Sequence, residues 1–451
     1  MPRDVTIEAK VLARIRPSPA EEERLARVIR ELTRTIAARL REEGWEAKPI
    51  LVGSVAKGTH LTGAEVDLFV AFPPDLPRAD LESRGLALGR ILERGVRMYA
   101  EHPYTRGWYN GTEVEIVPCY RVADAAQRLS AVDRTPLHAD YVLGRLKEDQ
   151  ADEVRLLKAW AEGIGVYGAE AKIRGFSGYL CELLVLRFGT FRGVLEASQG
   201  WRRGQLLEFD RSAGKPFEED AFVVIDPIDA NRNVASAVSV EQLATFVHAA
   251  REYLRGPSER FFFPRPLKPL PLARLKAHAK GQGGELLAVA IPLPKVTDDV
   301  LYPQLRKAHH ALEDLLRRNG FPVHDSRHDV AGREALFLFR LGVGVLPRRM
   351  RHDGPPVWVR NARDFVEKWS GNPRTLAGPY IVGERWAVDI ARAIVDPATL
   401  VRRMRRDLSL GKDLEKSARR ALRPYVGTRA LRPAYTHPWT RLFDKRFPWQ
   451  R

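Results

Sequence analysis

Gly53-Ser54-Val55-Ala56-Lys57-Gly58-Thr59, followed by Glu65-Val66-Asp67, is the stretch that decides how this chain is read. Residues 49–52 before it form a short apolar strand, and Gly53-Ser54 leaves that strand into the start of a helix. Backbone N–H groups and the Ser54 hydroxyl can therefore face a phosphate, and Lys57 adds positive charge nearby. Residues 64–72 alternate, with Val66, Leu68 and Val70 on one face and Glu65, Asp67 and Phe69 on the other. Glu65 and Asp67, two apart on one strand, project from one face and can hold divalent ions between them. A third acid, Glu115, lies on a strand able to neighbour theirs. Three carboxylates on one sheet face repel one another strongly unless cations are present. Two Mg²⁺ ions would bridge them, activate a hydroxyl and neutralise a triphosphate. A Gly-Ser pair or an E-x-D alone is weak, since carboxylate pairs on edge strands are common; the combination is not.

Outward from this point, residues 19–43 read as one helix. Ser18 and Glu21 make a capping box, Pro19 takes the first helical position, and Gly44 follows the end. Leu25, Val28, Leu32, Ile36 and Leu40 form its apolar stripe. Residues 105–109 and 113–117 flank Asn110-Gly111, a strong hairpin signal. Strands and helices together give a first α+β domain over residues 1–145. Residues 146–265 become mainly helical, with helices expected at 152–162, 178–188 and 240–254. A proline-rich run at 263–271 marks a boundary. Beyond it, a strand at 286–291, a helix at 302–318 and a strand at 335–341 suit an RRM-like or ferredoxin-like body over 266–357. Residues 358–451 are read as an Arg-rich, partly helical tail. The expected fold class is thus α+β and multidomain.

The 451 residues include 74 Lys plus Arg against 57 Asp plus Glu, a net charge of +17. With 44% hydrophobic residues a sizeable core is available, and wholesale disorder is excluded. The excess charge attracts polyanions. Residues 401–451 hold fifteen Lys or Arg and four acids, so they carry most of it. There Arg402, Arg403, Arg405, Arg406, Arg419, Arg420, Arg423 and Arg429 are interleaved with Tyr425, Tyr435, Trp439 and Trp449. Guanidinium groups neutralise phosphates and aromatic faces stack on exposed bases, which points to RNA rather than a membrane. Cys119 and Cys181 suit neither a disulfide framework nor a metal-ligand spacing, and read as buried thiols in a reducing cytosol. The charged opening MPRDVTIEAK does not read as a signal peptide, and the apolar stretch at 286–293 is too short to span a bilayer. The expectation is a cytoplasmic protein with no membrane partner.

VGSVAKGTHL, EVDLFVAFP, YAEHPY, EVEIVPCY, SAVDRTPLH, EVRLLKAW, GVYGAEAKIRGFSGYLCELL and IDPIDANRNVA follow one another over residues 45–245. In order and spacing they resemble the archaeal, class I CCA-adding enzymes of the polymerase-beta-like nucleotidyltransferase superfamily. DVLYPQLRKA, residues 299–308, adds a further patch. The resemblance implies that Glu65, Asp67 and Glu115 are the catalytic metal-binding carboxylates, and that Ser54 and Lys57 touch the phosphates of the incoming nucleotide. It implies further triphosphate and nucleotide contacts from His138, Lys158 and Tyr167. Arg232 would hydrogen-bond the incoming base together with the tRNA backbone. Two departures stand out: the family's third carboxylate is often Asp, one methylene shorter than Glu115, and Arg often stands where this chain has Lys57. Read without the resemblance, His138 is a loop histidine, Lys158 a solvated lysine, Tyr167 a packed ring and Arg232 an ion-pair partner. His309-His310 read as surface or packing residues, and Glu182 as a structural anchor.

The resemblance implies template-independent addition and repair of the 3′-terminal CCA of tRNA from CTP and ATP, with Mg²⁺ as cofactor. The RNA 3′ hydroxyl would attack the nucleotide α-phosphate and release pyrophosphate. The helical second domain would close over the base, and the C-terminal parts would grip the acceptor arm and T loop of tRNA. A homo-oligomer is left open. The alternatives are a poly(A) or oligoadenylate-type RNA nucleotidyltransferase, and a catalytically inactive RNA-binding relative.

Overall fold

The computed structural model describes residues 6–99 and 102–451; the first five residues of MPRDVTIEAK, and Ala100-Glu101 of the YAEHPY stretch, lie outside the described residues. The chain forms two compact units, one of Met1–Pro266 with Phe447–Arg451, the other of Leu267–Arg446.

The first unit opens with α1 (Ile7–Ile15) and α2 (Pro19–Glu42). Ser18 caps α2 by accepting from the Glu21 N–H at 3.2 Å. The expected reciprocal bond is replaced: the Glu21 carboxylate accepts from the Thr62 hydroxyl at 2.8 Å and the Gly63 N–H at 2.6 Å. A helix-cap residue thereby pins the turn that delivers Glu65. β1 (Lys48–Val52), α3 (Gly53–Ala56), β2 (Val66–Phe72), α4 (Arg78–Gly89), β3 (Glu93–Tyr99), β4 (Pro103–Tyr109) and β5 (Thr112–Tyr120) follow. Their sheet has the order β1-β2-β5-β4-β3, with β2 and β5 parallel and the other pairs antiparallel. Asn110 and Gly111 have φ of 47° and 72°, the positive values that a tight two-residue hairpin turn requires. Leu25, Leu32, Ile36 and Leu40 of α2 bury against Val66, Leu68, Val70, Val114 and Ile116. One face of the sheet is thus spent on packing, which leaves the other to chemistry.

The same unit continues through α5 (Arg134–Leu143), α6 (Gln150–Gly163), α7 (Gly178–Phe188), α8 (Phe191–Ser198), β6 (Gln205–Leu207), β7 (Phe222–Asp226), β8 (Asp229–Asn233) and α9 (Val240–Arg255). Its core is aromatic, with Trp160, Phe176, Phe191, Phe222, Phe246 and Tyr253 fully buried. The segment expected to be mainly helical therefore also carries a three-stranded sheet, β6-β7-β8, which positions two polar residues of the site.

The second unit holds α10 (Leu272–Gln282), β9 (Glu285–Pro292), α11 (Asp298–Arg318), β10 (Val323–Ala331), β11 (Glu334–Leu341), β12 (Arg349–Pro356), α12 (Ala362–Trp369), β13 (Thr375–Val382), β14 (Arg385–Ala391), α13 (Pro397–Met404), α14 (Lys412–Arg420), β15 (Arg423–Val426) and α15 (Thr436–Phe443). Its larger sheet has the order β10-β11-β9-β15, all antiparallel, and β12-β14-β13 form a smaller one. β9 and β11 are covered on both faces, by α11, α13 and α14 on one side and by α10 and α15 on the other, which explains their unbroken apolar runs. The expected edge at residue 357 falls between β12 and its partner β14, and β15 completes the sheet built around β9.

This arrangement corrects the reading of the C-terminal aromatics as base-stacking rings. Tyr435 and Trp439 lie in the core against Leu286, Ala288, Leu336 and Leu338. The Trp439 Nε1–H donates to the Ala430 carbonyl at 2.9 Å, and the Tyr435 hydroxyl donates to Glu334 Oε2 at 2.6 Å. Trp449 stacks on Phe261 at 5.3 Å in the first unit. The sheet's second face needed apolar cover, and Tyr435 and Trp439 supply it, while Trp449 fills the first unit's core. Among the described residues no helix is long and apolar enough to cross a membrane.

Candidate active site

A row of residues crosses the first sheet: Val52 on β1 pairs with Asp67 on β2, Asp67 with Glu115 on β5, and Glu115 with Arg106 on β4. Cross-strand neighbours project to the same face, so the register alone puts Asp67, Glu115 and Arg106 side by side. Glu65 stands immediately before β2. Burial, reinforced by Glu65 and Glu115 and only partly offset by Lys57 and Arg106, pushes the Asp67 carboxyl up to about 7. Burial and then Glu115 raise the Glu65 carboxyl too. The carboxylate of Asp67 lies against Gly53: a Cβ at that glycine would fall 1.8 Å from Asp67 Oδ2, and Gly53 has a φ of 72°. Only glycine serves at that strand-to-helix turn.

Arg106 donates from Nε to Glu115 Oε1 at 2.6 Å, with a second guanidinium contact to the same oxygen. Among the described residues no group of three or more His, Cys, Asp or Glu is drawn together to hold a metal ion. The donor chemistry nevertheless fits hard divalent cations: the three side chains supply only carboxylate oxygens, and two of them are held above their ordinary proton affinity by burial and crowding with like charge. Glu65, Asp67 and Glu115 are the residues that could hold such ions.

Beside the carboxylates, Ser54, Thr59, Glu65, Lys158 and Tyr167 line an open pocket of about 280 Å³. Ser54 is half-buried in α3. Lys57, expected to point at phosphates, does not stand free: its Nζ is 2.5 Å from Glu182 Oε2 on α7. Lys158 on α6 donates to Glu182 Oε1 at 3.0 Å and to the Thr59 hydroxyl at 3.0 Å, and that hydroxyl donates to Glu182 at 2.7 Å. Glu182 is buried; desolvation works to raise its carboxyl, but Lys158 and Lys57 outweigh it and hold the group below its usual range. Two lysines and one acid leave a single net positive charge here. Tyr167 presses on the start of α7: its hydroxyl would lie 3.1 Å from a Cβ placed on Gly178.

His138 and Arg232 come together on Asp226, fully buried at the end of β7. His138 Nε2 is 2.9 Å and Arg232 Nη1 2.7 Å from Asp226 Oδ2, and the Tyr179 hydroxyl donates to Oδ1 at 3.3 Å. Burial opposes ionisation of Asp226, yet the His138 and Arg232 contacts prevail and hold it down to about 2. Burial lowers the His138 imidazole, against the pull of Asp226. His138 stacks on Tyr179 at 4.1 Å, and Lys57 lies over the other end of the strip, 5.7 Å from the Tyr179 ring centroid. One continuous strip, Glu182–Lys57–Tyr179–His138–Asp226–Arg232, thus runs through the unit. Glu182 was expected as an anchor; Arg106, Tyr179 and Asp226 were not anticipated. The signal for Arg106 was present, since a two-residue turn at Asn110-Gly111 places residue 106 opposite 115.

Three stretches match family models: residues 33–138 the nucleotidyltransferase domain, residues 152–263 the second domain of tRNA nucleotidyltransferase, and residues 282–424 the C-terminal domain of CCA-adding enzyme. The fold is that of a multidomain nucleotidyltransferase. The CCA-adding enzyme of Methanoregula boonei is 40% identical over 401 residues, covering 87% of this chain and 85% of its own. That of Thermoplasma acidophilum is 37% identical over 431 residues, covering 94% and 96%. The chain belongs to the CCA-adding enzyme family. A Cid1 poly(U) polymerase bound to MgATP is also similar, at 14% identity and a TM-score of 0.46, over 56% of this chain and 94% of that one.

Proposed function

We infer that this chain adds and repairs the 3′-terminal CCA of tRNA without a nucleic-acid template, from CTP and ATP. The observation that carries the reading is the in-register row of Asp67 and Glu115, with Glu65 beside it, in a family member whose relatives bear that name. The tRNA 3′ hydroxyl attacks the α-phosphate in line and pyrophosphate leaves. Divalent ions, Mg²⁺ in our reading, supply Lewis-acid activation of the hydroxyl and charge neutralisation when bound by Glu65, Asp67 and Glu115. Ser54 donates its hydroxyl toward the triphosphate. Lys57 and Lys158, kept in place by Glu182, give the phosphates a cationic wall. Tyr167 and Lys158 flank the nucleotide pocket. His138 and Arg232, oriented by Asp226, face the nucleotide, with Arg232 donating to the base.

In the second unit the sequence β9-α11-β10-β11, then α13-α14-β15, with spatial order β15-β9-β11-β10, supports a ferredoxin-like body into which β12–β14 are inserted. Arg405, Arg406 and Arg419 line an open pocket of about 350 Å³, which suits backbone phosphates of the acceptor arm and T loop. The buried free thiols of Cys119 and Cys181 suit a reducing, cytoplasmic setting.

The test is metal-dependent incorporation of labelled CTP and ATP, separately, on tRNA lacking CCA. Addition of two C and then A supports the reading. Incorporation of A alone in runs would favour a poly(A)-type enzyme, and tRNA binding without incorporation an inactive relative.

A further inference from the structure

Arg106 belongs to none of the roles assigned above, yet it makes a close charged contact on the carboxylate face. It stands opposite Glu115 across the β4–β5 ladder and binds the acid through two guanidinium nitrogens. Its nearest other acid, Glu113, is 3.9 Å away. Glu115 is largely buried, its side chain 13% exposed, while Arg106 is 40% exposed and can swing outward. Glu115 also has the reach to meet the guanidinium on its own face of the sheet. Both contacts fall on Oε1, so the guanidinium engages that oxygen and balances the carboxylate's charge, while Oε2 is left to other partners.

We propose that Arg106 is a built-in counter-ion that competes with divalent metal for Glu115 and thereby sets the metal affinity of the site. With no ion bound, the guanidinium neutralises Glu115 and relieves repulsion along the Glu65–Asp67–Glu115 row. When Glu115 holds an ion, Arg106 would be released from it and turn toward solvent. Arg106 is a positioning residue here, since it acts through Glu115.

The inference rests on Glu115 being a metal ligand, and the experiment separates the two. Mn²⁺ binding to the full chain, without nucleotide or tRNA, is followed by electron paramagnetic resonance or calorimetry at one fixed pH and ionic strength. Arg106→Ala should tighten Mn²⁺ binding by about tenfold, the scale of one charged hydrogen-bonded contact. Arg106→Lys, with a single-point donor, should fall between. In the Glu115→Gln background Arg106→Ala should tighten binding far less, because the competition is gone and only the guanidinium's through-space effect on Glu65 and Asp67 is removed. Thermal unfolding of each variant confirms that it is folded. Unchanged or weaker Mn²⁺ binding in folded Arg106→Ala, or equal tightening with and without Glu115, would overturn the competition. Loss of Mn²⁺ binding in Asp67→Asn verifies the metal site itself. Undiminished binding there sinks the metal reading whatever Arg106 does.

Discussion

Lys57 and Glu182, 125 positions apart in the chain, form an ion pair at 2.5 Å with side chains only 8% and 1% exposed. One acid on α7 therefore fixes both the turn that follows α3 and, through Lys158, the helix α6. Buried charges of this kind are tolerable only while every member is paired.

Glu182→Ala should destabilise the first unit by about 3–5 kcal/mol, because Lys57 and Lys158 lose their common partner inside the fold. Chemical denaturation measures it. Nucleotide affinity should fall along with stability, as the two lysines are no longer oriented. A stability change within experimental error would show that water already serves these lysines.

Asp67→Asn should abolish incorporation of both CTP and ATP while tRNA binding stays nearly intact, since it removes charge from the reacting centre and not from the RNA grip. Glu115→Asp should keep measurable activity and Glu115→Gln should not. Single-turnover assays with labelled nucleotides distinguish these cases. Equal activity of the two Glu115 variants would mark the position as structural.

Arg232→Ala should lose discrimination against UTP and GTP more than it loses chemistry, by about 1.5–3 kcal/mol for the charged hydrogen bond removed. C and A both present an exocyclic amino group beside an acceptor nitrogen, and an arginine donor completed by a tRNA phosphate acceptor accepts that pattern. Incorporation of all four nucleotides on tRNA ending before C, after C and after CC is the measurement. Because Asp226 holds Arg232 at 2.7 Å, Asp226→Asn should reproduce part of the effect.

The same aspartate gives a pH prediction. Its folded-state pKa of about 2 lies below the ordinary 3.8, so it contributes stability that is complete above pH ~4 and is lost as pH falls toward 2. A shift of this size corresponds to about 2–3 kcal/mol. The stability difference between the parent protein and Asp226→Asn, followed by urea denaturation from pH 4 downward, should close as the pH falls toward 2. A difference that instead grows over that range would contradict the assignment.

Removal of residues 401–451 would dismantle the second unit, because β15 pairs with β9 and Trp439 and Tyr435 fill its core. The charge of this region is better tested by Arg402→Gln, Arg406→Gln and Arg419→Gln together, all three side chains being exposed. tRNA affinity should fall, and the slope of its logarithm against that of salt concentration should flatten by about 0.9 for each duplex phosphate no longer neutralised. An unchanged slope would place the RNA grip elsewhere. Free ATP binding should not change.

Legibility in the sequence followed the range of the interactions. α7 begins and ends where its apolar pattern and flanking Ser177 and Gly189 place it, and α2 runs from its capped start to within a residue of the expected end. β6 has only three residues, and β12, with the sequence RMRHDGPP, lacks the apolar alternation that reveals a strand. They exist because neighbouring strands offer them a ladder. The aromatic residues near the C-terminus looked like a nucleic-acid surface because sequence shows their interleaving with arginine but not which face of α15 lies on the sheet.

The sequence by itself determined two local pieces of the carboxylate row: alternation puts Glu65 and Asp67 on one face, and the two-residue turn at Asn110-Gly111 sets Arg106 opposite Glu115, whereas the parallel pairing of β2 with β5 that brings Asp67 beside Glu115 is tertiary. Tertiary structure alone decided the partners of the charges. Glu182 could have been an anchor for any cation, and Asp226 an ordinary strand-end acid, until packing brought Lys57, Lys158, His138 and Arg232 to them. An ion pair between residues a hundred positions apart has no local signature, because its existence depends on burial that only the assembled core provides.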